Sequence, residues 1–431
     1  MRTSGVVLSL ALLTVALWLG CATGGHRPPA GDGESNPPPA PHKVDMWTSS
    51  VKLRGANIWQ TRVYADVWGD SLGPGPVGPP YTQADFDELA AMGANCVNVS
   101  HPGLYTVDPP YVLSEDTQAN LDGLLDMIQR ANLFAVITFR TGPGRSEFTF
   151  FAGQSQEEDP ENGWFPQAYY NDTVWQDQEA QDAWAEMWRH AAERYASSRI
   201  VVGYDLMCEP NGNTRVFGID EPQLFYPSHA GHTEDWNRFY PSIVQAIREV
   251  DAETPILVGG MGWSGIEWLP YLVPTEDPAV VYTVHQYEPF AYTHQDPPLN
   301  IAYPGTADLG SGNGQETFDR SWLDNLLSTV AAYIDHHNAV VAANEFGVQR
   351  YEPGAAEFIR DETDLFDQHG IANAVWQWEP AFMAEYEYDS FDFKHGPDPA
   401  NHTNVGASAL MNTLRTYWSR NTARPSNTSF E

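Results

Sequence analysis

The strongest constraint on this chain is an alternation. Between residues 50 and 420, apolar runs of strand length recur at 52–59, 94–101, 134–141, 200–209, 255–263, 280–287, 339–346 and 371–378. Runs such as "FAVITFRT", "VVYTVHQY" and "AVVAANEF" are apolar nearly throughout, not alternately apolar and polar. That pattern marks strands of a parallel sheet covered on both faces. The segments between them carry helical periodicity, notably 82–93 behind a Thr82 cap, 117–132, 177–195, 234–250 and 319–337. Eight such units predict a (β/α)8 TIM barrel, a single α/β domain over 50–420. A doubly wound open sheet is the runner-up. Against it, the loop "SLGPGPVGPP" (71–80) after the first run is too proline-rich to cradle a phosphate.

The flanks have a different character. The opening "MRTSGVVLSLALLTVALWLGCATGG" places Arg2 before an apolar run from Val6 to Leu19, with small residues around Cys21. The run is too short for a comfortable membrane span and has the shape of an export signal over 1–21. "WLGC" resembles the bacterial lipoprotein processing site, which implies a lipid on Cys21, although Trp18 stands where that pattern prefers Leu. Ordinary cleavage nearby would instead give a freely secreted protein. Residues 22–49, rich in Pro, Gly and Ser, read as a flexible tether, and 421–431 as a polar tail.

With 57 acids against 22 bases and a net charge of −35, the chain would repel nucleic acid and anionic membrane surfaces. Membrane contact is therefore expected only through a lipidated Cys21. Cys96 and Cys208 lie inside apolar runs and read as small buried hydrophobes, not a disulfide framework. No Cys/His spacing marks a zinc site, and "IDHHN" (334–338) reads as a solvated helix end. No metal or cofactor is expected, and the chain is expected to act as a monomer.

Barrel enzymes work at the C-terminal ends of their strands. Those ends supply His101, Arg140, Glu209, Trp263, His285 with Tyr287, Glu345, and Trp376 with Trp378. Two are carboxylates, on the fourth and seventh strands, placed to face each other across the mouth. One acid that protonates a leaving oxygen and one that attacks the anomeric carbon or activates water are the equipment of a glycosidase. Aromatic rings offer flat faces for sugars.

"DLMCEPNG", "VHQYEPF", "ANEFG" and "VWQW" resemble, in order and spacing, the family 5 glycoside hydrolases, a cellulase-like group of retaining barrels. The resemblance runs from about Lys52 to Arg420. It implies Glu209 as acid/base, Glu345 as nucleophile, His285 and Tyr287 beside the scissile bond, and Trp376 as a platform under the sugar. It implies a carbohydrate partner and retaining hydrolysis of β-linked glycans of the glucan or mannan type. The alternative is a barrel that has lost turnover and only binds glycan. The chain departs from the family at three places. Cys208 stands where the family has an Asn that contacts the sugar 2-hydroxyl. Asn98 replaces an Arg that supports the nucleophile. Arg140 replaces a His, and could restore the missing positive charge. His101 and Trp263 are further candidates for substrate contact. For Trp263, Trp164 and Trp378, packing and sugar binding are equally open, whereas Trp184, Met187 and Trp188, at i, i+3 and i+4, read as core. The acids are expected about 5–5.5 Å apart, with the charge on Glu345 keeping Glu209 protonated.

Overall fold

In the computed structural model, residues 41–430 are described, apart from 49, 311 and 386–389. Eight parallel strands close into a barrel in chain order. They are β1 (Arg54–Trp59), β2 (Cys96–Pro102), β3 (Phe134–Thr141), β4 (Val201–Asp205), β5 (Ile256–Gly259), β6 (Val280–Gln286), β7 (Val340–Phe346) and β8 (Ala372–Val375). Pairing of Gly55 with Ala374 joins β1 to β8 and removes the sheet edges. Each strand coincides with an expected run, β2 passing the end of its run by one residue. β4 and β5 both stop four residues short of their runs, so residues 206–209 and 260–263 belong to the loops beyond them.

The outer layer is built from α1 (Gln83–Ala91), α2 (Glu115–Arg130), α3 (Gln178–Tyr195), α4 (Trp236–Arg248), α5 (Arg320–His337), α6 (Ala355–His369) and α7 (Ala409–Trp418). The expected eightfold alternation fails once. Between β5 and β6 the connection is a 3-10 helix, Ile266–Tyr271, with Pro270 inside it. Gly260, Gly262, Gly265 and Pro270 leave this segment too few helix-forming residues for an α-helix.

The barrel is filled in layers. Its floor is apolar: Leu53, Cys96, Phe134, Val202, Leu257, Val281, Ala342 and Ala372 bring one residue from the start of each strand, closed by Met46 and Trp47. Trp47 Nε1 donates to Val202 O at 2.8 Å, and Lys43 Nζ to Thr254 Oγ1 at 2.8 Å. Lys43–Trp47, expected to belong to a flexible tether over 22–49, are therefore part of the fold. Trp47 and Met46 supply apolar area that the open end of a barrel must cover. The expected polar tail is also part of the fold. Asn421 Nδ2 donates to Arg54 O and Gly93 O at 3.0 and 2.9 Å, and Phe430 packs on Phe134 with ring centroids 6.2 Å apart. The expected export signal over 1–21, with Cys21, lies outside the described residues. Among the described residues, no helix is long and apolar enough to cross a membrane.

Above the floor sits a polar layer. Asn57, Asn98, Thr138, Asp205 and Asn344 are all buried. Asn98 Nδ2 donates to Asn57 Oδ1 at 2.6 Å, Thr138 Oγ1 to Asn98 Oδ1 at 2.6 Å, and Asn344 Nδ2 to Asp205 Oδ2 at 2.6 Å. Buried polar groups are tolerable only when paired in this way. The layer fixes strand register directly beneath the mouth.

Candidate active site

Glu345 and His285 are the penultimate residues of β7 and β6 and stand opposite each other in the strand register. Neighbours in register on parallel strands face the same side, so both side chains point into the mouth. Glu209 arrives differently, from the loop after β4, with a left-handed backbone at φ 55°. A non-glycine residue in that region costs about 1–2 kcal/mol and persists only where its surroundings hold it. Here the fully buried Arg145 does so: Nη1 donates to Cys208 O at 2.8 Å and Nη2 to Glu209 O at 2.9 Å. From below, the indoles of Trp184 and Trp188 both donate to Leu206 O, at 3.1 and 2.8 Å.

His285 Nδ1 lies 2.9 Å from Glu209 Oε1 and 3.4 Å from Glu345 Oε2. One nitrogen thus reaches an oxygen of each acid. Tyr287 donates its hydroxyl to Glu345 Oε2 at 3.2 Å, and the Cys208 thiol donates to Glu345 Oε1 at 3.5 Å. The Glu345 side chain is 4% exposed and that of Glu209 18%, so Glu209 is the more open acid. Arg140 Nη1 contacts Ser100 Oγ at 3.2 Å and Cys208 Sγ at 3.6 Å, while its guanidinium lies over Phe150 and Trp376 at 4.2 and 5.6 Å.

Burial works against a charged His285, but the two carboxylates outweigh it and hold the imidazole up at about 9. Burial pushes Glu345 above its ordinary value, and the charge of Glu209 adds to this against the pull of His285 and Arg140. For Glu209, burial would raise it too, yet the hydrogen bond and charge of His285, with Arg140 and Arg145, bring it below its ordinary value. These shifts favour a proton on the His285 bridge over one on Glu209. Its nearest neighbour is a cationic donor, not the anion the sequence suggested. Asp205, beneath, is pushed up to about 7, chiefly by burial.

Around these groups opens a cleft of about 720 Å³, lined by both acids, His285, Tyr287, Trp376, Arg140, Trp263 and Arg215 among others. The Arg215 guanidinium lies 4.8 Å from the Trp263 ring. A second cavity of about 370 Å³ shares Arg140, Phe150 and Trp376 with the cleft and adds Trp59, Trp68, Phe151 and Trp164. Its wall is continuous across two loops, because Trp68 and Trp164 meet at 5.1 Å.

Not every expected residue joins the cleft. His101 is buried at the end of β2, with Nδ1 bonded to Pro102 O at 2.6 Å and Nε2 to Asn120 Oδ1 of α2 at 2.9 Å. Strand side chains alternate in direction, and His101 has the outward parity while Ser100 points in. Asn98 sits in the polar layer and donates to Asn344 O at 3.3 Å, so it steadies the backbone beside Glu345 and does not touch the carboxylate. Trp378 is buried and donates to Asp85 O at 3.0 Å, which settles it as packing; Trp184, Met187 and Trp188 are core. Trp263 and Trp164 line the cavities. Phe150, Trp68 and Arg215 escaped the sequence reading, as did Trp59 and Arg145. Trp59 ends β1 and was open to the same strand-end rule. Arg145 lies in a loop, where no periodicity marks it. Cys208 Sγ, a His285 ring nitrogen and a Glu345 oxygen, brought from three strands or their loops, all lie within 4.8 Å of one another.

The sequence profile of the cellulase family, glycosyl hydrolase family 5, matches residues 45–382. The chain belongs to that family. This family 5 member is 23% identical to Endoglucanase C of Acetivibrio thermocellus over 334 residues, 72% of this chain and 87% of that protein. It is 22% identical to Cellodextrinase A of Ruminococcus flavefaciens over 277 residues, 62% of this chain and 70% of that one. Among solved structures, endoglucanase Cel5A from Thermotoga maritima superposes with a TM-score of 0.58 at 17% identity, covering 86% of this chain and 99% of its own. The barrel of this family 5 chain is thus shared with cellulase structures. It is a β-glycan hydrolase by family.

Proposed function

We propose that this chain cleaves β-linked glucan- or mannan-type glycans with retention of configuration, Glu345 acting as nucleophile and Glu209 as acid/base. The observation that carries this is His285 Nδ1 within reach of an oxygen of each acid. A separation of about 5–5.5 Å is the spacing for direct attack by a carboxylate, without room for an intervening water. Tyr287 and Cys208 orient Glu345 through separate oxygens. Protonated His285 hands its proton to Glu209, which passes it to the departing glycosidic oxygen as Glu345 closes the glycosyl ester. With Glu345 esterified, its charge is gone, Glu209 accepts a proton from water, and the attacking water frees the sugar. Trp376 offers the ring face beneath the sugar at the cleavage point, and Trp263 one on the Glu209 side. Relatives named endoglucanase and cellodextrinase favour a β-glucan. Export, with or without a lipid on Cys21, would bring the enzyme to such polymers.

Glu345→Ala should abolish turnover, and azide should restore it with inverted product, because azide enters from the vacated face. Glu209→Ala should slow substrates with poor leaving groups far more than activated aryl β-glycosides, which need no protonation. Near-wild-type activity of either variant, or an inverted anomer from the unmodified enzyme, overturns the assignment. No turnover of any aryl β-glycoside would favour the glycan-binding alternative.

A further inference from the structure

We propose that Cys208, His285 and Glu345 together bind a thiophilic divalent cation, Zn2+ or Cd2+, that closes the cleft reversibly against glycan. The kinetic part rests on the reading of Glu345 as nucleophile; the ligand geometry stands without it.

The mechanism above gives the Cys208 thiol little to do beyond a weak hydrogen bond. Yet the sulfur is buried in the catalytic cluster, 3.5 Å from Glu345 Oε1, while His285 Nδ1 is 3.4 Å from Glu345 Oε2. Tetrahedral zinc bonds sulfur at ~2.3 Å, imidazole nitrogen at ~2.0–2.1 Å and carboxylate oxygen at ~2.0–2.2 Å. Tetrahedral edges built from those bonds are about 3.6 Å for S···O and about 3.4 Å for N···O. The sulfur and the nitrogen each stand at nearly those separations from Glu345, but from different oxygens, and one donor atom of each residue lies within 4.8 Å of the other two. Ligation through a single Glu345 oxygen therefore needs that carboxylate to turn, while the three side chains stay in place. On binding, the thiol proton and the His285 Nδ1 proton leave to water, as metal ligation requires. A thiolate and two carboxylates then face the dication and Arg140, so the local charge is close to balanced. The fourth position is open to Glu209 Oε1, 2.9 Å from His285 Nδ1, or to a water in the cleft. A sulfur and a nitrogen in the donor set select soft or borderline metals over Mg2+ and Ca2+, which demand oxygen. Such an ion sits directly on the nucleophile, where the sugar must enter.

The test uses the whole protein and three probes. Co2+ should give one equivalent of a sulfur-to-cobalt charge-transfer absorption in the near ultraviolet, and Cys208→Asn should abolish it. Zn2+ and Cd2+ should raise the apparent KM for an aryl β-glycoside by at least about tenfold without lowering kcat, and a chelator should reverse this. In Cys208→Asn, measured against its own uninhibited rate, the inhibitory concentration should rise by at least about tenfold. Glu345→Gln, of the same volume, should weaken Co2+ binding by a similar factor. A Co2+ band that survives Cys208→Asn, equal inhibition of both proteins, or unchanged Co2+ affinity in Glu345→Gln overturns the proposal. Because the absorption needs no turnover, a failed glycosidase reading leaves the metal test readable.

Discussion

His285 stands between two acids, and its charge state sets the pH range over which the site holds together. Its pKa in the fold, about 9, lies above the ordinary imidazole value. The stability it contributes is thus fully present below about 6.5 and fades as pH rises through 9. We expect the alkaline limb of kcat/KM to fall near 9, and His285→Gln to remove that limb together with most of the activity. A pH–rate profile with an unchanged alkaline limb in the variant would refute this. Asp205 acts in the same direction over a lower pH range. Its raised pKa of about 7 means that the folded state favours the protonated acid, so its contribution is largest in acid and is lost as pH climbs from about 4 through 7. That range corresponds to on the order of 4 kcal/mol. Asp205→Asn should therefore gain thermal stability relative to wild type as pH rises from 4 to 8. A difference in melting temperature that is flat across that range would disprove it.

At the scale of elements, α3 holds the loop that carries Glu209. Two indoles, Trp184 and Trp188, converge on one buried carbonyl, Leu206 O. Either alone satisfies it, whereas losing both leaves it unpaired. Trp184→Phe and Trp188→Phe should each cost about 1 kcal/mol, and the double variant clearly more than their sum. Additive losses in denaturant titrations would exclude this shared role. The same comparison shows what sequence patterning can carry. The strands were legible because a doubly covered parallel sheet needs apolar residues on both faces, and Glu345 was legible because it interrupts such a run. Glu209 was placed on a strand that in fact ends at Asp205, since the apolar residues 206 and 207 belong to the loop clamped by α3. Arg145 left no pattern, because a backbone-binding guanidinium in a loop obeys no period. The expected helix between β5 and β6 failed where glycine and proline outweigh apolar spacing.

Taken whole, the molecule separates a sealed end from a working end. Trp47 covers the floor and the segment 421–430 lies alongside it, while both acids open at the other rim. Trp47→Ala should cost about 3–5 kcal/mol, as for other large aromatic truncations in cores. Removing residues 424–430 should lower the melting temperature while leaving KM unchanged, since that segment lies far from the cleft. A shift in KM would show that the floor and the mouth are coupled. The net charge of −35 predicts that added salt raises thermal stability by screening self-repulsion.

The floor plug also fixes a direction of departure. A chain that leaves the barrel at Pro41, just ahead of the Lys43–Met46 turn, does so from the face opposite the catalytic mouth. A carrier protein or bead joined at Pro41 would therefore sit behind the barrel and leave the cleft between the two acids uncovered.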